Sequence, residues 1–173
     1  IEAKLGLNPW DVFHDGFSKL INVRIGFAGV ITGFIVLLGW IPLKQKPFLG
    51  TILNILTIGN VLDLTMYFIP TPESIIMRHG YLYFGTVLFA MGVGIYIGSG
   101  LGPGPRDGIM TGIAKRGPSV RVTRIAIDFT AFVSGVLLGG SYGYGTIFMV
   151  IIVGPIVQFS LKRYDKGAIF SLK

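Results

Sequence analysis

The chain has 173 residues, of which 51% are hydrophobic and only 13% charged, with a mean hydropathy of +0.71. Soluble domains carry about a quarter charged residues, so this composition describes an integral membrane protein. The absence of cysteine excludes disulfides, thiolate metal sites and cysteine nucleophiles. The net charge of +7, with no DNA- or RNA-binding motif beside it, reads as basic loops flanking apolar spans and not as a nucleic-acid surface.

Residues 1–23 open with Leu5-Gly6-Leu7-Asn8-Pro9-Trp10-Asp11 and continue as a short amphipathic segment with Val12, Phe13, Phe17, Leu20 and Ile21 on its apolar face. Asn8 suits an N-cap, Pro9 the first helical position and Asp11 the first turn. The first apolar run is Arg24 to Ile41, with Gly26, Gly29 and Gly33 as a small-residue face for helix contact, and it ends in the basic turn Lys44-Gln45-Lys46-Pro47. The second is Phe48 to Ile69, carrying Asn54, Thr57, Asn60 and Asp63, followed by a connector over 73–79 with Arg78 and His79. The third, Gly80 to Ser99, is rich in aromatics.

The stretch Gly100-Leu101-Gly102-Pro103-Gly104-Pro105-Arg106-Asp107-Gly108-Ile109-Met110-Thr111-Gly112 then stops the helix and starts a new one at Pro105, with Asp107 in its first turn. A fourth span runs from about Val122 to Gly139 and holds Asp128, four residues after Arg124, a spacing that permits an intrahelical ion pair. The fifth runs from about Tyr144 to Leu161, and a basic tail of Lys162, Arg163 and Lys166 follows.

An internal duplication links these parts. Pro9-Trp10-Asp11 aligns with Pro105-Arg106-Asp107, and each Asp is followed five positions later by glycine, Gly16 or Gly112. Downstream, Arg24-Ile25 meets Arg124-Ile125, Leu37-Leu38-Gly39 meets Leu137-Leu138-Gly139, Gly50-Thr51-Ile52 meets Gly145-Thr146-Ile147, and Asp63 meets Gln158. The repeats are 1–79 and 80–173, together one membrane domain. The second motif follows a full span, the first only Ile1-Glu2-Ala3-Lys4, so a further N-terminal helix is expected. The predicted fold is all-α: two inverted three-helix repeats with short helices at the Gly/Pro breaks, five spans here and a sixth missing. Pro9, Asp11, Gly100, Gly102, Pro103, Pro105 and Gly112 are the structural residues of the motifs.

The second motif closely resembles the signature of the YczE/YyaS/YitT-like bacterial multipass membrane proteins, and Leu5 to Val12 looks like that family's first-repeat motif. The resemblance extends over essentially the whole chain. It implies a bacterial inner-membrane protein with one more N-terminal helix, and an architecture more than a reaction.

Candidate pathway residues for a solute or ion are Asn60, Asp63, Arg106, Asp107, Arg124 and Asp128. A carboxylate at Asp63, inside a span, is costly unless paired or protonated, so it reads either as a proton or cation site or as polar glue between helices. Arg106 and the free amides of the short helix suit an anion; the alternative is that Asp107 caps its own helix and Arg106 anchors to lipid phosphate. Trp10 suits an interfacial belt. His14 and His79 lack partners at metal-ligand spacing, and no nucleophile or dinucleotide motif is present, so no metal, cofactor or enzymatic activity is expected.

Loop charge places the C-terminus in the cytoplasm. The leading expectation is a small transporter or permease-like protein of the bacterial inner membrane, in contact with the lipid bilayer and an unidentified small solute or ion. If Asp63 or Asp128 carries a coupling proton, its replacement by Asn abolishes uptake without affecting insertion. The alternative is a non-catalytic scaffold or accessory subunit, with a membrane-protein partner or a second copy packed against its small-residue faces.

Overall fold

A computed structural model describes residues 2–164, apart from the side chains of Leu62 and Asp63; Lys166 of the basic tail lies outside the described residues. Every regular element in it is a helix: α1 (Pro9–Ile21), α2 (Ile25–Leu38), α3 (Trp40–Leu43), α4 (Leu49–Phe68), α5 (Ile75–Gly98), α6 (Pro105–Ala114), α7 (Val120–Leu137) and α8 (Tyr144–Tyr164).

Both short motif helices start where their chemistry requires. The Asn8 side chain accepts from the Trp10 amide at 3.2 Å, with Pro9 next and Asp11 in the first turn. Pro105 opens α6 behind Gly104, with Asp107 in the first turn. Asn22 ends α1 in the left-handed conformation, and the chain turns by 104° into α2. The single apolar run expected from Arg24 to Ile41 is divided at Gly39 into α2 and α3. From Ile75 on, the connector expected over 73–79 instead forms the start of α5, where Arg78 Nε donates to the Pro72 carbonyl at 2.9 Å.

Among the described residues three helices, α4, α5 and α8, are long and apolar enough to cross a membrane; α1 and α2 pass that test only together, as one bent pair. The fourth expected span, α7, has enough residues, but it carries Arg121, Arg124 and Asp128. At 14 residues α2 reaches roughly 21 Å, short of a hydrocarbon core of about 30 Å.

Helix α1 lies on α7, α5 on α8, α7 on α8, and α6 beside α2, α3 and α7. The α1 face that meets α7 combines Trp10 with smaller residues, Val12 fully buried and Gly16 against Gly135 and Gly140. Leu20, on the apolar face read from the sequence, is 67% exposed. Lipid is as apolar as leucine, so small residues such as Gly16 can take the protein interface, where they let backbones approach, while Leu20 turns outward.

Two breaks are fastened by matching bonds. The Gly50 amide donates to the Leu101 carbonyl at 2.9 Å, and the Gly145 amide donates to the Leu5 carbonyl at 2.9 Å. Beside them, Thr51 Oγ1 accepts from the Phe48 amide at 3.2 Å and Thr146 Oγ1 from the Gly143 amide at 3.3 Å. Gly102 and Gly6, at φ of 101° and 134°, lie against these two threonines, where a side chain would be strained and crowded.

Candidate functional site

The Gly100–Gly112 stretch is held by contacts from several helices. Thr51 Oγ1 donates to the Pro103 carbonyl at 2.8 Å, and Trp40 Nε1 donates to the Pro105 carbonyl at 2.8 Å. Gly100 takes a φ of 79°, and Gly112 lies against Leu43 and Gln45. Gly108 lies flat on the Trp40 indole, where any Cβ would collide with the ring. These contacts aim the first turn of α6 at α5 and α7.

There an ionic network forms. The Arg124 guanidinium bridges two carboxylates, with Nε donating to Asp128 Oδ2 at 2.8 Å and Nη1 donating to Asp107 Oδ1. The expected pair of Arg124 with Asp128 is present, and Asp107 joins it from α6. The Tyr96 hydroxyl, from α5, donates to Asp107 Oδ2 and accepts from the Gly104 amide. Trp10 Nε1, from α1, donates to Asp128 Oδ1 at 3.1 Å. Asp107, Arg124 and Asp128 are only 2–3% exposed, so water reaches them barely or not at all. Arg124 Nη2 is buried with no hydrogen-bond partner among the described residues. Asp107 therefore bonds across helices and does not cap α6.

A separate cavity of about 590 Å³ opens between α2, α4 and α5 and reaches the starts of both short helices. That volume lies within the usual range for ligand pockets. Its walls are largely apolar, including Val30, Ile55, Leu82 and Phe89. Its polar groups include Asn54, Arg106 and the pair of Asp11 and His14, whose Oδ1 and Nδ1 are 3.6 Å apart. The Arg106 guanidinium sits over the Phe89 ring, 5.4 Å from its centre, and forms no salt bridge among the described residues.

The candidate pathway residues thus separate into distinct places. Arg106 lines the cavity, whereas Asp107, Arg124 and Asp128 lie together in the network behind it. Asn60 is exposed and lies in another recess, beside Arg24, Phe27 and Leu56. Its Nδ2 donates to the Leu56 carbonyl at 2.9 Å, and Thr57 Oγ1 donates to Leu53 O at 2.6 Å, so this stripe satisfies itself on its own helix. The Asp63 side chain lies outside the described residues.

Tyr96 and Trp10 are the network residues that sequence reasoning missed. Trp10 is buried at 9% exposure with its indole N–H on Asp128, and so it is not an interfacial belt residue. Its place in the Pro-x-Asp motif was the available signal. Nothing in local spacing reveals a contact 118 residues away.

All-helical architecture, apolar spans and a buried ion network define the class: a small polytopic membrane protein. The chain belongs to the family described as "Family of unknown function (DUF6198)", which matches residues 1–162. An uncharacterised protein of Haemophilus influenzae is 36% identical over 158 residues, 91% of this chain and 72% of the relative. The uncharacterised membrane protein YczE of Bacillus subtilis is 34% identical over 167 residues, 94% of this chain and 77% of the relative. The uncharacterised protein YyaS of the same organism is 24% identical over 165 residues, 91% and 81% of the two chains. The YczE/YyaS-like relationship read from the motifs therefore holds. No solved structure matches the chain.

Proposed function

We propose that the chain is a small transporter or permease-like protein of the bacterial inner membrane, with two inverted repeats and a solute route through the cavity between α2, α4 and α5. The observation that carries this reading is the cavity itself, which brings the starts of both motif helices, Trp10-Asp11 and Pro105-Arg106, to one space within apolar walls. Secondary transporters place their sites at such repeat interfaces, beside interrupted helices.

The inverted repeat draws support from the paired fastenings. Leu101 to Gly50 and Leu5 to Gly145 are equivalent bonds under the sequence alignment, each joining one copy's motif to the other copy's last span. The short helices cross over in the same way: α1 packs on α7, and α6 packs on α2 and α3. In this reading α2 and α7 count as spans beside α4, α5 and α8, the charges of α7 being paired within the bundle, and the total is five. The C-terminus is cytoplasmic, on the face where Arg116 Nη2 joins the Lys44–Lys46 turn through the Pro42 carbonyl at 2.7 Å. The protein works without a cofactor, a metal or covalent chemistry.

The test is a solute profile of cells expressing the wild type or V30W, which fills the cavity. Under the transporter reading the wild type changes the cellular level of at least one small solute and V30W reverses that change. Identical profiles, with V30W inserted normally, favour the scaffold. That second reading has its own observation: α4 leaves Ile52, Leu56, Val61 and Leu64 about half exposed or more, a surface on which another membrane helix could pack.

A further inference from the structure

We propose that the cavity between α2, α4 and α5 binds a zwitterion with an apolar body, the chemistry of an apolar amino acid, with its carboxylate on Arg106 and Asn54 and its ammonium on Asp11. This names the substrate class of the transporter reading and rests on it for the ligand's being carried.

The three side chains that make this assignment line the cavity and form no hydrogen bond among the described residues. Asp11 has only the His14 imidazole at 3.6 Å, beyond hydrogen-bond distance. The Arg106 guanidinium lies on the face of Phe89, an arrangement that leaves the N–H groups at its edge free to donate. Asn54 belongs to the same end, since a Cβ on Gly104 would meet its Oδ1 at 2.7 Å. A guanidinium fork matches the two oxygens of a carboxylate, and the Asn54 amide adds a donor beside it. A carboxylate such as Asp11 can only accept, and an ammonium supplies three donors.

The two ends are close but do not pair. A Cβ at Gly29 would meet the His14 imidazole at 3.5 Å, and one at Gly33 would meet Pro105 Cγ at 3.8 Å. Gly29 and Gly33 are one turn apart on a single face of α2, about 6 Å along its axis. The starts of α1 and α6 therefore flank the cavity one turn from each other, yet Arg106 and Asp11 form no salt bridge. A short molecule carrying both charges reaches from one to the other. Its apolar part meets Val30, Ile55 and Leu82.

The charge count excludes a simple anion. Glu2, held by the Thr71 hydroxyl, lines the same cavity near the end of α4. Behind the cavity, Asp107 and Asp128 face the single guanidinium of Arg124. Arg106 acts on the Tyr96 hydroxyl of that network through its charge alone, so its N–H donors stay available. Glu2, Asp11, Asp107 and Asp128 thus outnumber Arg106 and Arg124, and a protonated His14 would still leave one negative charge. A plain anion would add to that excess, and a plain cation would leave the Arg106 fork without an acceptor. A zwitterion satisfies Arg106 and Asp11 together and leaves the total unchanged.

The test is equilibrium binding of tritiated leucine, and of phenylalanine as a second probe, to the purified full chain in phosphatidylglycerol nanodiscs. The competitors are leucinamide, which lacks the carboxylate, and isocaproate, which lacks the ammonium. We expect an amino acid to bind and each analogue to compete more weakly by on the order of tenfold or more, the effect of one lost charged hydrogen bond. Arg106→Gln should narrow the preference over leucinamide, and Asp11→Asn the preference over isocaproate, a pattern that loss of fold does not produce. Should a variant fail to fold, the wild-type ranking decides alone. An analogue that competes as well as the amino acid, a preference left unchanged in its folded variant, or neither probe bound overturns the proposal. Binding by a chain that moves no solute across vesicles removes the transporter reading alone. Transport of a solute without the two charges, with neither amino acid bound, removes this one alone.

Discussion

Arg124 is the residue on which the interior depends most, because it neutralises carboxylates from two helices at 2% exposure. Replacing it with Met strands two buried aspartates. R124M is expected to lose roughly 3–5 kcal/mol, the cost of breaking a buried pair by removing one partner. Unfolding midpoints in detergent measure this, and a shift no larger than that of a surface arginine such as R121M would contradict it. W10F removes only the indole donor to Asp128 and should cost about 1–3 kcal/mol through that unpaired buried acceptor. The spacing of Arg124 and Asp128 made half of this network legible in the sequence, since four residues on a helix bring side chains together. The other half comes from Asp107, Tyr96 and Trp10 on three other helices, and no local pattern encodes such a meeting.

Among the elements, the breaks were the most legible. Asn8-Pro9 and Gly104-Pro105 specify helix starts through capping and fixed φ, and both starts fell where they were read. The apolar spans were less so. Hydropathy joined α2 to α3 across Gly39, and it could not tell that α1 turns Leu20 and Ile21 outward while Val12 is buried. The helix–helix contacts make sharp predictions here. G108A drives a methyl group into Trp40 and should cost about 1–3 kcal/mol by overpacking. If that contact is the cause, W40L relieves part of the loss in the double variant, which a double-mutant cycle in detergent would detect. The paired fastenings predict matched penalties for G6A and G102A, since each forces a side chain at positive φ against the threonine of the other copy. A large penalty at one glycine and none at the other would argue against the repeat.

At the scale of the whole molecule, the ends of the bundle differ. At one, Arg116 donates to the Pro42 carbonyl at 2.7 Å, next in sequence to Lys115 and bringing that loop to the turn that carries Lys44 and Lys46. At the other, Lys19 reaches the Gly139 carbonyl at 3.0 Å and His79 meets the Tyr144 hydroxyl at 2.6 Å. The chain has no cysteine, so single cysteines report position cleanly. Gln45→Cys should label from the cytoplasm and Ser141→Cys from outside; the reverse pattern would invert the orientation. The membrane class was plain from composition, because few charges and long apolar runs have no stable arrangement in water. The cavity was not, because it depends on how far α4 stands from α5, and that distance is set by what packs around them.

The central claim, a solute route between α2, α4 and α5, is tested most directly by single cysteines on the cavity wall, at Val30 and Ile58. A membrane-impermeant thiol reagent is applied to right-side-out and to inverted vesicles. A transport route predicts that both positions react from each side of the membrane, and that V30W in the same chain suppresses labelling at position 58. Labelling from neither side, at positions that react freely once the protein is unfolded, would mean that lipid or another helix fills the space, and would contradict the transporter reading.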